Sequence, residues 1–483
     1  MDDRSVQLKK VVHLTVEERR ALGKERRAAV PRQSHEGWKP AVDRADPVTL
    51  LEAQEGTREP DLVPVRHGRM LVSPFTFYRG AARIMADDLR DTPRAGLTVQ
   101  LCGDAHLSNF GGFASPERTL VFDLNDFDET LPGPFEYDLK RLAASFTIAA
   151  RNNGFSKADQ RDITLKVVRA YREAMAEFAQ MGVMEVWYAR LSEADLLEGL
   201  RMIERRQKTA AEKAEMARRI AKVTDFMAKA HTHDSIQALT KLAELVDGQY
   251  RIASQPPVVI PARELDAVFG LSRDEIEKVI HRQFREFRAT LQPDRRHLLE
   301  NFKVVDVARK VVGVGSVGTR AFIVLLQGRD ESDPLFLQVK EATASVLEEH
   351  LPVSRYANHG ERVVQGQRLM QAASDIYLGW SKGAQAGRFY YWRQLRDMKI
   401  SADVEHMVPM GMDFYAGICG WTLARAHARS GDAVAMSSYL GKGDTFDRAI
   451  ADFSKRYADR NERDYEAFRE AVASGRLEAV EGV

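Results

Sequence analysis

A chain of 483 residues has room for two or three domains with a sizeable core, and 44% hydrophobic against 29% charged residues is ordinary globular composition. The near balance of 71 basic and 70 acidic residues removes any bulk electrostatic reason to bind nucleic acid or a membrane surface, so partners must be read from local sites. Two cysteines exclude a disulfide framework and a cysteine-rich zinc site, and neither a secretion signal nor a long apolar run is visible, so a cytoplasmic protein with no membrane association is expected.

Residues 1–60 are charged and interrupted by Pro31, Pro40 and Pro47, which predicts a partly irregular arm. The stretch "PFTFYRGAARIMADDLRD" (74–91) opens with proline after Ser73, the pattern of a capped helix. "GLTVQLCG" reads as a strand running into "LCGDAHLSNFGGF" (101–113), and "TLVFDLNDFD" predicts a second strand. From about 136 to 300 the apolar period is helical almost throughout, and the mixed-sign stretch 203–230 reads as a solvated helix face.

At 301 the period changes. "FKVVDVARKVVGVGSVGTRAFIVLLQGRDESDPLFLQVKEA" alternates β-rich runs with turns, as an antiparallel sheet does; a helix over 359–373 and the strands "DIYLGWSK" and "RFYYWRQLR" follow, and helix resumes from about 410. The expected organisation is an arm (1–60), a helical domain (61–300), a sheet domain (301–398) and C-terminal helices (399–483) that rejoin the helical domain.

Chemistry concentrates in two places. Asp104, Asn109, Asp126 and Asp128 share one short span, and like charges about 4 Å apart repel by roughly 4 kcal/mol at an effective dielectric near 20, so a cation is expected among them. Asp-x4-Asn followed by an aspartate on the next strand is how kinases and small-molecule phosphotransferases place a catalytic aspartate and their Mg²⁺ ligands. Asp104 then reads as catalytic, Asn109 and Asp126 as metal ligands and Asp128 as a second metal carboxylate. On an extended strand Asp123 points away from Asp126 and Asp128 and reads as structural. The alternative is a set of capping and turn aspartates with no metal. His106 reads as a hydrogen-bonding loop residue, "HTHD" (231–234) as an interhelical turn, and "ARAHARSGD", with His427 and Asp432, as a helix packed beside the site.

The second place is "GVGSVG", where Gly313, Gly315 and Gly318 flank Ser316. It has the spelling of a dinucleotide fingerprint but lies between two strands, so it reads as a glycine loop over phosphates, with a plain hairpin turn as the alternative. Lys340, 22 residues after Gly318 on an apolar strand, needs an anionic partner and fits the α and β phosphates of ATP. Glu361 on the following helix is expected to hold it, with Glu348 and Glu349 nearer in sequence; Arg79 and Arg320 are further cations for phosphate, with a plain surface ion pair as the alternative for Arg320.

The interval from Asp126 to Asp138 in "YDLKRL" resembles the aminoglycoside phosphotransferases, with a metal aspartate, a loop and a buried aspartate opening a helix. Over nearly the whole chain, "VPRQSHEGW", "LVPVRHGRMLVSPFTFYRG", "LCGDAHLSNFGGF", "FDLNDFDETLPGPFEYDLKRL", "VVGVGSVGTRAFIVLLQG", "PLFLQVKEA" and "LARAHARSGD" resemble the uncharacterised bacterial family DUF2252. That resemblance implies a protein-kinase-like fold. A standard kinase presents its glycine loop and lysine before its aspartates, whereas here Asp104 to Asp138 come first. The expectation is therefore an α+β, protein-kinase-like two-lobe fold, circularly permuted, with a small antiparallel sheet lobe and a large helical lobe. Its expected function is Mg²⁺- and ATP-dependent phosphoryl transfer to a hydroxyl acceptor, a small molecule ahead of a protein. Nucleotidyl (AMP) transfer, a nucleotide-binding pseudokinase and a metal-dependent hydrolase are the alternatives.

Overall fold

The computed structural model describes residues 12–482 apart from 232–234, 247, 265–272, 312 and 396–397. The helical part is built around Phe135–Asn152, sixteen of whose eighteen residues are buried, including Asp138, Lys140 and Arg141. A helix buried on every side belongs at the centre of a large core, and Lys157–Phe178, Pro409–Ser430 and Thr445–Ala473 pack around this one.

The early segment is more regular than an arm. Pro47 opens a helix, Pro47–Glu55, with Asp46 as its cap, because proline lacks only an amide that the first turn leaves unbonded anyway. Arg44 ties this segment inward, with its Nε at 2.5 Å from Asp88 and its Nη2 at 2.6 Å from Asp464. The helix expected over 74–91 is two helices, Pro74–Gly80 and Ala82–Leu89, broken where Arg66 takes the Gly80 carbonyl at 2.7 Å.

β1 (Thr98–Leu101) leads into the first motif; β2 (Phe110–Ala114) and β3 (Leu120–Leu124) form a hairpin behind it, and β4 (Leu131–Pro134) returns to pair with β1. The short β5 (Leu191–Ser192) extends the hairpin at β3. β6 (Ala243–Val246) and β7 (Gln249–Ile252) form a separate hairpin.

A six-stranded antiparallel sheet follows, from β8 (Val259–Pro261), β9 (Lys303–Lys310), β10 (Ala321–Gln327), β11 (Pro334–Ala342), β12 (Gly379–Lys382) and β13 (Phe389–Gln394), in the order β12-β13-β11-β10-β9-β8. Last, β14 (Ile400–Ser401) crosses to pair with β2, joining the sheet to the motif hairpin.

The sheet reaches further back than the expected boundary at 301. β8 joins its edge, and the helix Arg273–Ala289 covers it, stacking Phe287 on Trp392 with ring centroids 4.6 Å apart. A three-residue strand carries too little alternation to be seen in sequence, and the helix shows its period but not its destination. Among the described residues no helix is long and apolar enough to cross a membrane.

Candidate functional site

The loop from Cys102 to Asn109 is held by the central helix. Asp138, in that helix's first turn, accepts the Cys102 amide at 2.8 Å and the Gly103 amide at 3.0 Å, and His427 Nε2 lies 3.2 Å away. Tyr171 fixes the other face of that imidazole, 2.8 Å from His427 Nδ1. One turn later Arg141 grips Asp104 Oδ1 from Nε at 2.8 Å and Nη2 at 2.7 Å. The Asp104 carboxylate is thus aimed through one oxygen. Asn109 donates its Nδ2 to the Asp104 carbonyl at 2.9 Å, so its amide oxygen is the group it has left to offer a cation.

β3 ends at Leu124, and after it residues 127–130 form a turn closed by the Thr130 amide on the Phe127 carbonyl at 3.1 Å. Asp123, the last aspartate of the strand, is buried and bonded to Arg425 and to the Ala372 amide at 2.8 Å, a structural role as expected. Asp126 and Asp128 both face Lys340, whose Nζ lies 3.7 Å from Asp126 Oδ1 and 2.6 Å from Asp128 Oδ2.

Asp128 also accepts Tyr391 O–H at 2.6 Å and faces Ser316 Oγ at 3.4 Å. With Lys340 on Oδ2 and Tyr391 on Oδ1, Asp128 is the anchor of Lys340, and as a carboxylate it keeps acceptor capacity beyond those two donors. Asp126 keeps a buried Oδ1 with no hydrogen-bond partner. Burial and the Asp128 charge raise its carboxyl against the opposing pull of Lys340. Burial would raise Asp128 too, but Lys340 and the hydrogen bonds from Lys340 and Tyr391 hold it below the usual carboxylate value. Burial alone would discharge Lys340; Asp126 and Asp128 keep it above its ordinary range.

The expected Lys340–Glu361 pair is not made. Glu361 sits in the first turn of His359–Met370, where its amide is capped by Asn358 at 3.2 Å, and its side chain bonds Gln365. Glu349 pairs with Arg83 at 3.1 Å, and Glu348 accepts the Ser345 amide at 3.2 Å. The inward residue of the helix is Arg362, one position on, which donates to the Thr130, Asp128 and Thr343 carbonyls at 2.6, 2.8 and 2.8 Å. Gly366 of the same helix lies so close that a Cβ would stand 2.4 Å from Thr130 Oγ1.

The glycine loop is a docked turn. Gly313 and Gly318 have φ of +63° and +88°, which glycine adopts freely. A Cβ on Gly315 would come within 3.1 Å of the Arg79 carbonyl. Arg69 donates to the Gly313 carbonyl at 2.5 Å, Arg58 to that of Val317, and the Glu59 amide to that of Gly318 at 2.7 Å. Arg320, expected to reach phosphate, is instead paired with Glu59 at 2.5 Å and Glu341 at 3.1 Å.

Two cavities meet at this cluster. One, of about 640 Å³, is lined by Lys340, Arg393, Asp126 and the loop at Gly313 and Ser316, and carries seven lysine and arginine side chains against two carboxylates. Arg393, not singled out from sequence, is half-buried and donates to Gln338 Oε1 at 2.9 Å and to the Asn125 carbonyl at 3.0 Å. The other, of about 560 Å³, contains Asp104, His106, Arg58 and Glu129; Arg79, Asn109 and Asp126 line both. Burial, reinforced by Arg79 and Arg141, keeps His106 neutral.

Among the described residues no three His, Cys, Asp or Glu side chains are grouped to hold a metal. Asp126 with Asn109 is the available set, which suits Mg²⁺, a cation commonly held by one or two carboxylates together with substrate phosphates. Of "HTHD", His231 pairs with Glu193 at 2.9 Å, while residues 232–234 lie outside the described residues. Residues 58–471 match the model of a family described as an uncharacterised protein conserved in bacteria, DUF2252. No curated protein and no solved structure matches the chain.

Proposed function

The chain belongs to the bacterial family DUF2252, and we propose that it is an ATP- and Mg²⁺-dependent phosphotransferase with a circularly permuted, protein-kinase-like arrangement of two lobes. The observation that carries this reading is the approach of Lys340 Nζ to Asp128 and Asp126, at 2.6 and 3.7 Å, across 212 residues of chain between Lys340 and Asp128. Two motifs read separately as a phosphate clamp and a metal–catalytic loop thereby share one cleft. The permuted order is supported by the joining of early and late segments into one body: Tyr465 O–H donates to the Leu71 carbonyl and His67 Nδ1 to that of Glu478, each at 2.6 Å.

In this reading the basic cavity takes the nucleotide, with Lys340 and Arg393 offsetting phosphate charge. The acceptor enters through the cavity that holds Asp104. Asp104, aimed by Arg141, takes the proton of the acceptor hydroxyl as its oxygen bonds to the γ-phosphorus; the bond from that phosphorus to the bridging oxygen breaks and ADP leaves. Asp126 and Asn109 would hold Mg²⁺, which supplies positive charge to the phosphates, and the Asp126 oxygen that accepts no hydrogen bond fits that role. Phosphoryl transfer asks for little beyond positioning and charge neutralisation.

Calorimetric titration of ATP with and without Mg²⁺ into wild type, Lys340→Ala and Asp126→Ala tests this, with the recovered nucleotide analysed. Expected is Mg²⁺-dependent binding weakened about tenfold or more in each variant, and ADP as product once an acceptor is supplied. AMP with pyrophosphate would redirect the reading to nucleotidyl transfer, and intact ATP under every condition to a nucleotide-binding regulatory module. No binding to folded wild type refutes it.

A further inference from the structure

The cleft draws on Asp138 and Arg141 of the central helix but not on Lys140 between them. Lys140 is completely buried, and its Nζ has no hydrogen-bond partner and no ion pair among the described residues. What it has is the face of Phe453, 5.1 Å from the ring centroid. A buried ammonium is strongly disfavoured unless paired, and burial pulls Lys140 down to about 7 against the opposing charge of Glu136. Glu136 spends one oxygen on the Ala95 amide at 2.6 Å and does not reach Lys140.

Lys140 lines a cavity of about 260 Å³ that shares no lining residue with the two cavities of the cleft. His35 lines it too, 2% exposed, with Tyr439 Oη 2.9 Å from Nε2 and no partner for Nδ1. Burial keeps this imidazole neutral. When Tyr439 donates to Nε2, the ring proton sits on Nδ1, a second donor with no hydrogen-bond partner, on a residue that lines the same cavity. The remaining walls include Trp38 and Phe453, whose rings pack 5.7 Å apart.

We propose that this cavity is a binding site for a small monocarboxylate with an apolar body, its carboxylate held by Lys140 Nζ and His35 Nδ1 and its body against Trp38 and Phe453. Two donors without acceptors call for an anion. The volume is below the roughly 300–1,000 Å³ of sites for drug-sized ligands, which limits the ligand to about the size of benzoate. A single negative charge is favoured over a phosphate dianion because Glu36, Asp87, Asp88 and Asp91 also line the cavity. Lys39, Arg44 and Arg90 join Lys140 on the lining, four cations to four carboxylates; Arg44 offsets Asp88 and Arg90 offsets Asp87 and Asp91, so no surplus of positive charge awaits a second negative one.

The test is calorimetric titration of the full chain with benzoate, benzamide and inorganic phosphate, using wild type, Lys140→Met and Lys340→Ala. Lys140→Met keeps the side chain's bulk and removes its charge. Expected is saturable benzoate binding that is unchanged in Lys340→Ala and about tenfold or more weaker in Lys140→Met, with benzamide and phosphate at least tenfold weaker than benzoate. Should Lys140→Met not fold, His35→Gln carries the same comparison. No saturable benzoate binding, equal binding of benzamide or phosphate, or equal binding by the position 140 or 35 variant overturns the proposal. Because Lys340→Ala is carried in parallel, failure here is distinct from failure of the nucleotide site.

Discussion

The end of β3 and the turn that follows it use the same residue type for opposite purposes. Asp123 is sealed in the core against Arg425 and the Ala372 amide, every charge matched by a fixed donor. Three residues on, Asp126 keeps a buried oxygen that accepts no hydrogen bond, and its neighbour Asp128 is what holds the shared lysine most closely. A core carboxylate is satisfied by the protein alone, whereas a site carboxylate is left wanting something the chain does not supply.

The sharpest way to break that contrast is Asp123→Ala. It strands the buried Arg425 guanidinium and is expected to lower unfolding free energy by about 3–5 kcal/mol in urea denaturation. In the same assay Asp126→Asn is expected to cost less than about 1 kcal/mol, since it relieves a like-charge pair. A similar cost at both positions would mean that Asp126 is structural too. Asp128→Asn falls between them, about 1.5–3 kcal/mol, because the Lys340 and Tyr391 donors lose their ionised acceptor.

Glu129, at the end of the turn, sharpens the contrast through pH. Burial raises its carboxyl to about 7 despite Arg362 and the Val346 amide. A folded value above the unfolded one adds stability that is complete below pH ~4.5 and fades as pH rises through ~7. Relative to Glu129→Gln, wild type should therefore lose stability between pH ~5 and ~8, read as diverging urea midpoints; parallel midpoints would count against desolvation of the Glu129 carboxyl. A modest effect is expected at Gly313, which has open space around its Cα but φ of +63°, so Gly313→Ala should cost about 1–2 kcal/mol from backbone strain alone. A neutral result would show that the loop can leave its docked turn.

The local pieces of this site were legible because each is local: the strand into Asp104, the glycine pair with left-handed φ, the lysine on an apolar strand. The alternation that marked β9, β10 and β11 also located the sheet. What sequence could not supply were the partners, since Arg141, Arg362, Tyr391 and Arg393 are joined to their acceptors across long stretches of chain. Glu361 failed as the lysine partner by one helical step. Turning about 100° along the helix puts Arg362 inward instead, and a carboxylate from the aspartate loop takes the place expected of Glu361. The strand expected to run through Asp128 ends at Leu124, and Asp126 and Asp128 still converge because one lysine gathers both.

The distance along the chain between Asp128 and Lys340 also sets a schedule. At about 5–20 residues per second of synthesis, the aspartate turn leaves the ribosome roughly 10–40 s before the lysine that neutralises it, given the 212 residues between them. For that interval the nascent helical part carries two carboxylates with no cation, and the Asp128 carbonyl waits for Arg362, which emerges later still. The sheet closes that acidic cleft, and the helices Pro409–Ser430 and Thr445–Ala473, which emerge after it, complete the helical part.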